Sequence, residues 1–346
     1  MEASFGIIGC GNIARFHVQG LQKAGAAIVH VADQEERAAR SYAERLGCRY
    51  STDYRALLAD AQVMAVDILA SSRRHREICL AALEAGKDVI CEKTMTDNAG
   101  EAEEVARAAA RSGRLFFSAY MKRFFPAVQK AQELLPTLGR LFSAQVRSYQ
   151  RWGNFYEGTE LGEFASVVEN YGGAVLKCAG SHLIDLVLYL LGRPAHLYAH
   201  IDFVEGTDFD RKVAALLEYP DGLTVGFEAA AHPLNKIGYE RNSWEEWLEI
   251  SGTDGRLRLC TPMWDAPDKN PALLFHYDNR NDTSVEYRFD AVNPFDREMR
   301  YFFECLKSRR QGRPNVLDGF NVDVLIDAMG QSARQERRIR VDYRDL

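Results

Sequence analysis

Residues Lys87 to Thr96 read KDVICEKTMT, a short apolar run closed by two charges, Glu92 and Lys93, ahead of a helix start. At the carboxyl edge of a parallel strand, where open α/β sheets bind ligands, a lysine ammonium can meet cofactor and substrate together and stabilise a developing oxyanion. A second set lies between about Gly173 and Leu191. There Cys178, His182, Asp185 and Tyr189 interrupt an apolar stretch at spacings of four, three and four, which is one face of a helix. An imidazole on that face, with an ordinary pKa of about 6.5, can take or return a hydroxyl proton near neutrality. Taken singly, each set has a plainer reading. Glu92 and Lys93 fit a solvated strand end, His182 a satisfied core histidine, and Asp185 a structural hydrogen-bond partner.

A third set makes the first two worth combining. Ser4 to Ile8 reads as a strand, and Gly9-Cys10-Gly11-Asn12-Ile13-Ala14 then opens a helix through Ala24. In this GxGxxA pattern the first glycine makes the tight turn and the second lets a pyrophosphate approach the backbone. The small alanine allows close helix–strand packing, with the helix N-terminus facing the phosphates. The next strand, Ala27 to Ala32, ends in Asp33. A carboxylate there suits the ribose hydroxyls of NAD and repels the extra phosphate of NADP, so NAD is the expected cofactor; Arg37, one turn on, could soften that preference. The cofactor-binding candidates are Gly9, Gly11, Asn12, Ile13, Asp33, Arg37, Ser71, His75, Glu92 and Lys93.

These residues need a scaffold that brings strand ends together. Strands near Tyr50 and at Val63–Leu69, Asp88–Lys93 and Leu115–Tyr120 alternate with helices, predicting a doubly wound parallel sheet over residues 1–121. After Met121 the texture changes. Pro126 opens a helix, Leu141–Tyr149 alternates as a strand, 151–171 is a long polar-aromatic loop, and one helix is predicted over 173–191. Strands then dominate, with Pro220-Asp221-Gly222 and Thr253-Asp254-Gly255 as hairpin turns. Residues 122–346 are therefore expected to form an α+β domain with a large, mainly antiparallel open sheet, expected to bind substrate and to oligomerise. Arg123, Tyr149 and Trp152 are candidates for the wall of a substrate pocket, together with Lys93, Cys178 and His182.

A chain of 346 residues with 47% hydrophobic composition fits two domains. Its net charge of −6 points to neither a nucleic-acid nor an anionic-membrane partner. Seven cysteines stand singly, as expected for reduced thiols in a cytoplasmic protein. A strand begins almost at once, so no signal peptide is expected, and the most apolar run, Leu183 to Leu191, is too short to span a membrane. His196 and His200 have metal-like spacing but no accompanying ligands, so no metal is expected.

Together GCGNIA at 9–14, ALEAGKDVICEKT at 82–94, YMKRFFP at 120–126, GGAVLKCAGSHLIDLVLYLLG at 172–192 and SGTDGRLRL at 251–259 resemble the glucose–fructose oxidoreductase, inositol dehydrogenase and rhizopine-catabolism (Gfo/Idh/MocA) family. The resemblance covers nearly the whole chain. It implies an N-terminal Rossmann domain, a C-terminal domain whose open sheet makes homodimer or homotetramer contacts, and hydride transfer between nicotinamide and a sugar or polyol. The family's catalytic lysine falls on Lys93 and its histidine on His182. Its proline after the lysine is Thr94 here, and its carboxylate four residues before the histidine is Cys178. Two other readings stand beside this one. The first is a glycosidase- or lyase-like enzyme that cycles a tightly bound NAD, and the second is an NAD-binding regulator without turnover.

Overall fold

A computed structural model of the chain describes residues 4–151, 173–206, 209–266 and 269–344. It divides into two compact units, one of Met1–Met121, Phe295–Asp323 and Arg344–Leu346, the other of Lys122–Pro294 and Val324–Tyr343.

In the first unit six parallel strands lie in the order β3-β2-β1-β4-β5-β6. They are β1 (Ser4–Ile8), β2 (Ala27–Ala32), β3 (Arg49–Ser51), β4 (Ala65–Ile68), β5 (Asp88–Glu92) and β6 (Phe116–Ala119). Five helices make the crossovers: α1 (Ala14–Ala24), α2 (Glu36–Leu46), α3 (Tyr54–Leu58), α4 (Ser72–Glu84) and α5 (Ala99–Ser112). β4 and β5 are buried at every position, as a sheet covered on both faces demands. Local chemistry ends the helices where the sequence suggests. Gly25, Gly47 and Gly113 adopt the left-handed conformation at the ends of α1, α2 and α5, and Asn98 and Asp53 cap the starts of α5 and α3.

The second unit is built on a nine-stranded sheet ordered β14-β13-β12-β11-β7-β10-β9-β8-β15. Its strands are β7 (Leu141–Arg151), β8 (His196–Phe203), β9 (Asp210–Glu218), β10 (Thr224–His232), β11 (Trp244–Gly252), β12 (Gly255–Cys260), β13 (Leu273–Asp278), β14 (Thr283–Tyr287) and β15 (Ile339–Arg340). All neighbours are antiparallel except β7 and β10. The two expected hairpins form as β9–β10 and β11–β12. α6 (Pro126–Leu134) and α7 (Ser181–Leu191) precede the long sheet run, while α8 (Pro294–Ser308) and α9 (Val316–Gln335) come late in the chain.

One predicted element is corrected. The continuous helix expected over 173–191 is broken, since Val175–Gly180 winds as a π-helix before α7 begins at Ser181. A π turn widens the spiral and shifts the phase of what precedes it, so Cys178 and His182 are not related by a simple α-helical turn. The segment is anchored from outside itself. The buried Asp210 carboxylate of β9 accepts the backbone N–H groups of Ala174 and Leu176, both at 2.6 Å. A Cβ placed on Gly180 would lie 3.3 Å from the Phe227 ring, so the glycine lets the segment sit close on the sheet.

Candidate active site

The carboxyl edge of the first unit's sheet gathers most of the cofactor candidates. Gly9 follows β1 with φ of +103°, and a Cβ on it would lie 2.6–2.8 Å from the Leu69–Ala70 backbone, so only glycine fits there. At Gly11 an added Cβ would meet nothing within 4 Å, which leaves open space in front of the exposed second glycine. Asn12 is exposed, Ile13 half-buried, and no side chain caps the first turn of α1. Asp33, one residue past β2, is held by two backbone donors: Cys10 N–H to Oδ2 at 2.7 Å and Glu35 N–H to Oδ1 at 2.8 Å. Arg37 is exposed in the first turn of α2. This open, glycine-lined turn beside a fixed carboxylate fits a dinucleotide's pyrophosphate and ribose.

β4 and β5 supply the remaining candidates of this unit. Ser71 is half-buried at the start of α4. His75 is a structural clamp, 1% exposed, with Nδ1 2.8 Å from the Thr94 carbonyl oxygen and Nε2 2.8 Å from that of Ala70. Its burial pushes its pKa down, against the raising effect of the two carbonyls. Glu92 is buried and its Oε2 accepts the Lys93 backbone N–H at 2.7 Å. The Lys93–Thr94 peptide bond is cis, and the Lys93 side chain is half-buried.

In the second unit, Cys178 lies in the π turn and His182 in the first turn of α7, both half-buried. Three residues after His182, Asp185 is fully buried and takes two bonds from Arg123, Nε to Oδ2 at 2.8 Å and Nη2 to Oδ1 at 2.5 Å. The same guanidinium stacks 4.6 Å from the centre of the Tyr189 ring. Arg123, 3% exposed, is thus engaged by α7 itself. Tyr149 is on the other side of the sheet. Along β7 the buried face carries Ala144, Val146, Ser148 and Gln150, while Tyr149 alternates with them and stacks under Arg147 at 4.7 Å. The π turn rests on the face of Val146 and its pair Phe227, so Tyr149 and His182 do not share a wall. Trp152 lies outside the described residues.

One polar cluster went unread in the sequence. Lys122, 1% exposed, bonds the buried Glu246 carboxylate, which also accepts from Ser148 Oγ at 2.8 Å, Gln150 Nε2 at 3.2 Å and Thr261 Oγ1 at 2.9 Å. The signal for it was present, because Trp244, Glu246, Leu248 and Ile250 share one period-two face, and a glutamate among three apolar residues there must find donors.

Asp210 gives a pH test of the π-turn anchor. Burial pushes its carboxyl up to about 6, while the two backbone donors and Lys177 act in the opposite sense. A pKa raised on folding favours the folded state fully below the unfolded value, and that contribution is lost as pH rises through the folded value. The stability of wild type relative to Asp210→Asn should therefore fall by about 2–3 kcal/mol between about pH 4 and pH 6 and stay level above. Urea unfolding of both chains across that range measures it; a constant difference would contradict it.

Comparison with known proteins places this arrangement. A model described as oxidoreductase family, NAD-binding Rossmann fold, matches residues 3–120, and the GFO/IDH/MocA C-terminal domain model matches 128–258. Inositol 2-dehydrogenase 3 of Saccharopolyspora erythraea is 32% identical over all of this chain and 97% of its own. D-xylose 1-dehydrogenase (NADP(+)) 2 of Haloferax volcanii is 25% identical over 98% of this chain and 99% of its own. The fold matches levoglucosan dehydrogenase in complex with NADH, with a TM-score of 0.86, 22% identity and coverage of 99% of this chain and all of that one. This chain belongs to the Gfo/Idh/MocA oxidoreductase family and has its NAD(P)-binding Rossmann fold. Among the described residues no helix is long and apolar enough to cross a membrane, and no group of three or more potential ligands could hold a metal ion.

Proposed function

We propose that this chain is an NAD-dependent dehydrogenase that oxidises or forms a secondary hydroxyl on a sugar, polyol or sugar derivative. The observation that carries the reading is the sheet edge, where the Gly9–Gly11 turn, the doubly held Asp33 carboxylate and the Glu92–Lys93 strand end lie together on β1, β2 and β5. Relatives named for inositol, D-xylose and levoglucosan support the substrate class. When bound, the dinucleotide supplies the hydride chemistry. The residues that would hold it are Gly9, Gly11, Asn12, Ile13 and Asp33. His182 takes the substrate hydroxyl proton in oxidation and returns it in reduction. Lys93 stabilises the negative charge that develops on that oxygen and orients it. Cys178 shapes the pocket where the family resemblance expects a carboxylate.

The test is a panel of myo-inositol, D-xylose, levoglucosan and simple glycosides with NAD and NADP, followed at the nicotinamide absorbance. Cofactor reduction on a polyol or aldose supports the reading. Release of an aglycone without net reduction would replace it with the transient redox cycle. Asp33 motivates a cofactor prediction: NAD should bind about tenfold tighter than NADP, and Asp33→Ala should narrow the gap. Equal binding of the two by fluorescence titration would promote Arg37 as a phosphate ligand.

A homodimer or homotetramer through the open sheet belongs to the same proposal. The face opposite α7 exposes Tyr198 and Leu216 on β8 and β9 and Phe275 and Tyr277 on β13, and exposed aromatic and aliphatic side chains on a sheet face are what a second copy could cover. Light scattering of the purified chain measures the state; a monomer at micromolar concentration would count against it.

A further inference from the structure

Beneath the strand end that carries Lys93 lies a cluster of titratable groups with no part in the acid–base reading. His17 of α1 is fully buried. Its Nδ1 lies 3.0 Å from Asp67 Oδ2 on β4, and its Nε2 lies 3.3 Å from Glu92 Oε1 at the end of β5. Asp67 is also fully buried, and Glu92 is 7% exposed. Two carboxylates enclosed this closely repel each other unless a cation lies between them. A neutral imidazole has one N–H and can donate to only one of them, whereas an imidazolium donates to both. Burial pushes the His17 pKa down, but Asp67 and Glu92 outweigh it and hold the ring well above its ordinary range.

Glu92 passes this constraint on. With Oε1 held by His17, its Oε2 accepts the Lys93 backbone N–H. His75 holds the next residue through the Thr94 carbonyl. We propose that His17 is a positioning residue for Lys93: it pins the Glu92 carboxylate, and Glu92 pins the Lys93 main chain at the sheet edge. The link also ties that lysine to α1, the helix opened by the glycine turn. The inference rests on the reading that Lys93 acts on the substrate oxygen.

A mutant cycle separates the two. Turnover is measured with NAD and the most active compound of the panel, for wild type, His17→Gln, Lys93→Ala and the double variant, together with NAD affinity and the thermal midpoint of each. His17→Gln should lower kcat by about tenfold or more, the scale of a misplaced catalytic group, with KM for the sugar little changed. Its NAD dissociation constant should move by less than about threefold. Added to Lys93→Ala, it should cost nothing further, because a residue acting through Lys93 has nothing left to position. Losses that multiply, or wild-type kcat in His17→Gln, overturn the proposal while leaving the role of Lys93 intact. Wild-type turnover in Lys93→Ala instead removes the reading on which it rests. Should His17→Gln fail to fold, Glu92→Gln carries the same cycle, with the same non-additivity expected and multiplying losses again overturning it.

Discussion

Lys93→Ala and His182→Ala are each expected to lower turnover by about 100-fold or more, the range for loss of an oxyanion stabiliser or of a general acid–base group. The expectation rests on where each side chain stands in its own unit. Lys93 follows β5, whose last residue is fixed by His17, and the lysine main chain is fixed in turn by Glu92. His182 stands in the first turn of α7, between the anchored π turn and the Asp185 clamp. Dinucleotide affinity should change far less for His182→Ala than turnover does, because the glycine turn and Asp33 belong to the other unit. Steady-state rates on the active panel compound, with NAD titrations alongside, measure both effects. If His182→Ala keeps near wild-type turnover, the proton carrier is another group, and Lys93, Lys177 or a tyrosine must be tried next.

Much of the first unit was legible because its signals are local. GxGxxA, the strand ending in Asp33 and the glycine stops each speak within a few residues, and alternating strands and helices leave few topologies to choose from. The buried network was not legible, because Asp67 and Glu92 stand 50 and 75 residues from His17 and meet it only through the strand order β1-β4-β5. His75 shows the same limit, since its place early in α4 suggests a ligand contact, but burial turns it onto two backbone carbonyls. In the second unit the hairpin turns marked two pairings, β9–β10 and β11–β12, while the place of β7 between β11 and β10 rests on long-range pairing. The π turn stayed hidden because its anchor, Asp210, comes more than thirty residues later. Tyr149 occupies a strand face that its residue type does not settle, for a simpler reason. Strand alternation assigns it to the face opposite Ser148 and Gln150, and which face meets α7 is decided by packing against Phe227.

Breaking the Arg123–Asp185 pair should have the largest effect on stability. Both groups are almost fully buried, and the guanidinium meets the carboxylate through two bonds while stacking on Tyr189. Truncating one partner of a buried pair leaves the other charge enclosed without its counter-ion, which costs about 3–5 kcal/mol. Asp185→Ala and Arg123→Ala should each lose about that much in urea unfolding, with unchanged slopes. The paired replacement Arg123→Met with Asp185→Leu removes both charges and keeps the volume filled, so it should cost less than either truncation. With the single replacements Arg123→Met and Asp185→Leu completing it, the cycle should show coupling of about 1 kcal/mol or more. Because Asp185 sits one turn from His182, Asp185→Asn should also lower kcat while leaving NAD affinity near wild type. Additive losses of under about 1 kcal/mol each would mean that solvent reaches the pair, and that α7 is held by its apolar face alone.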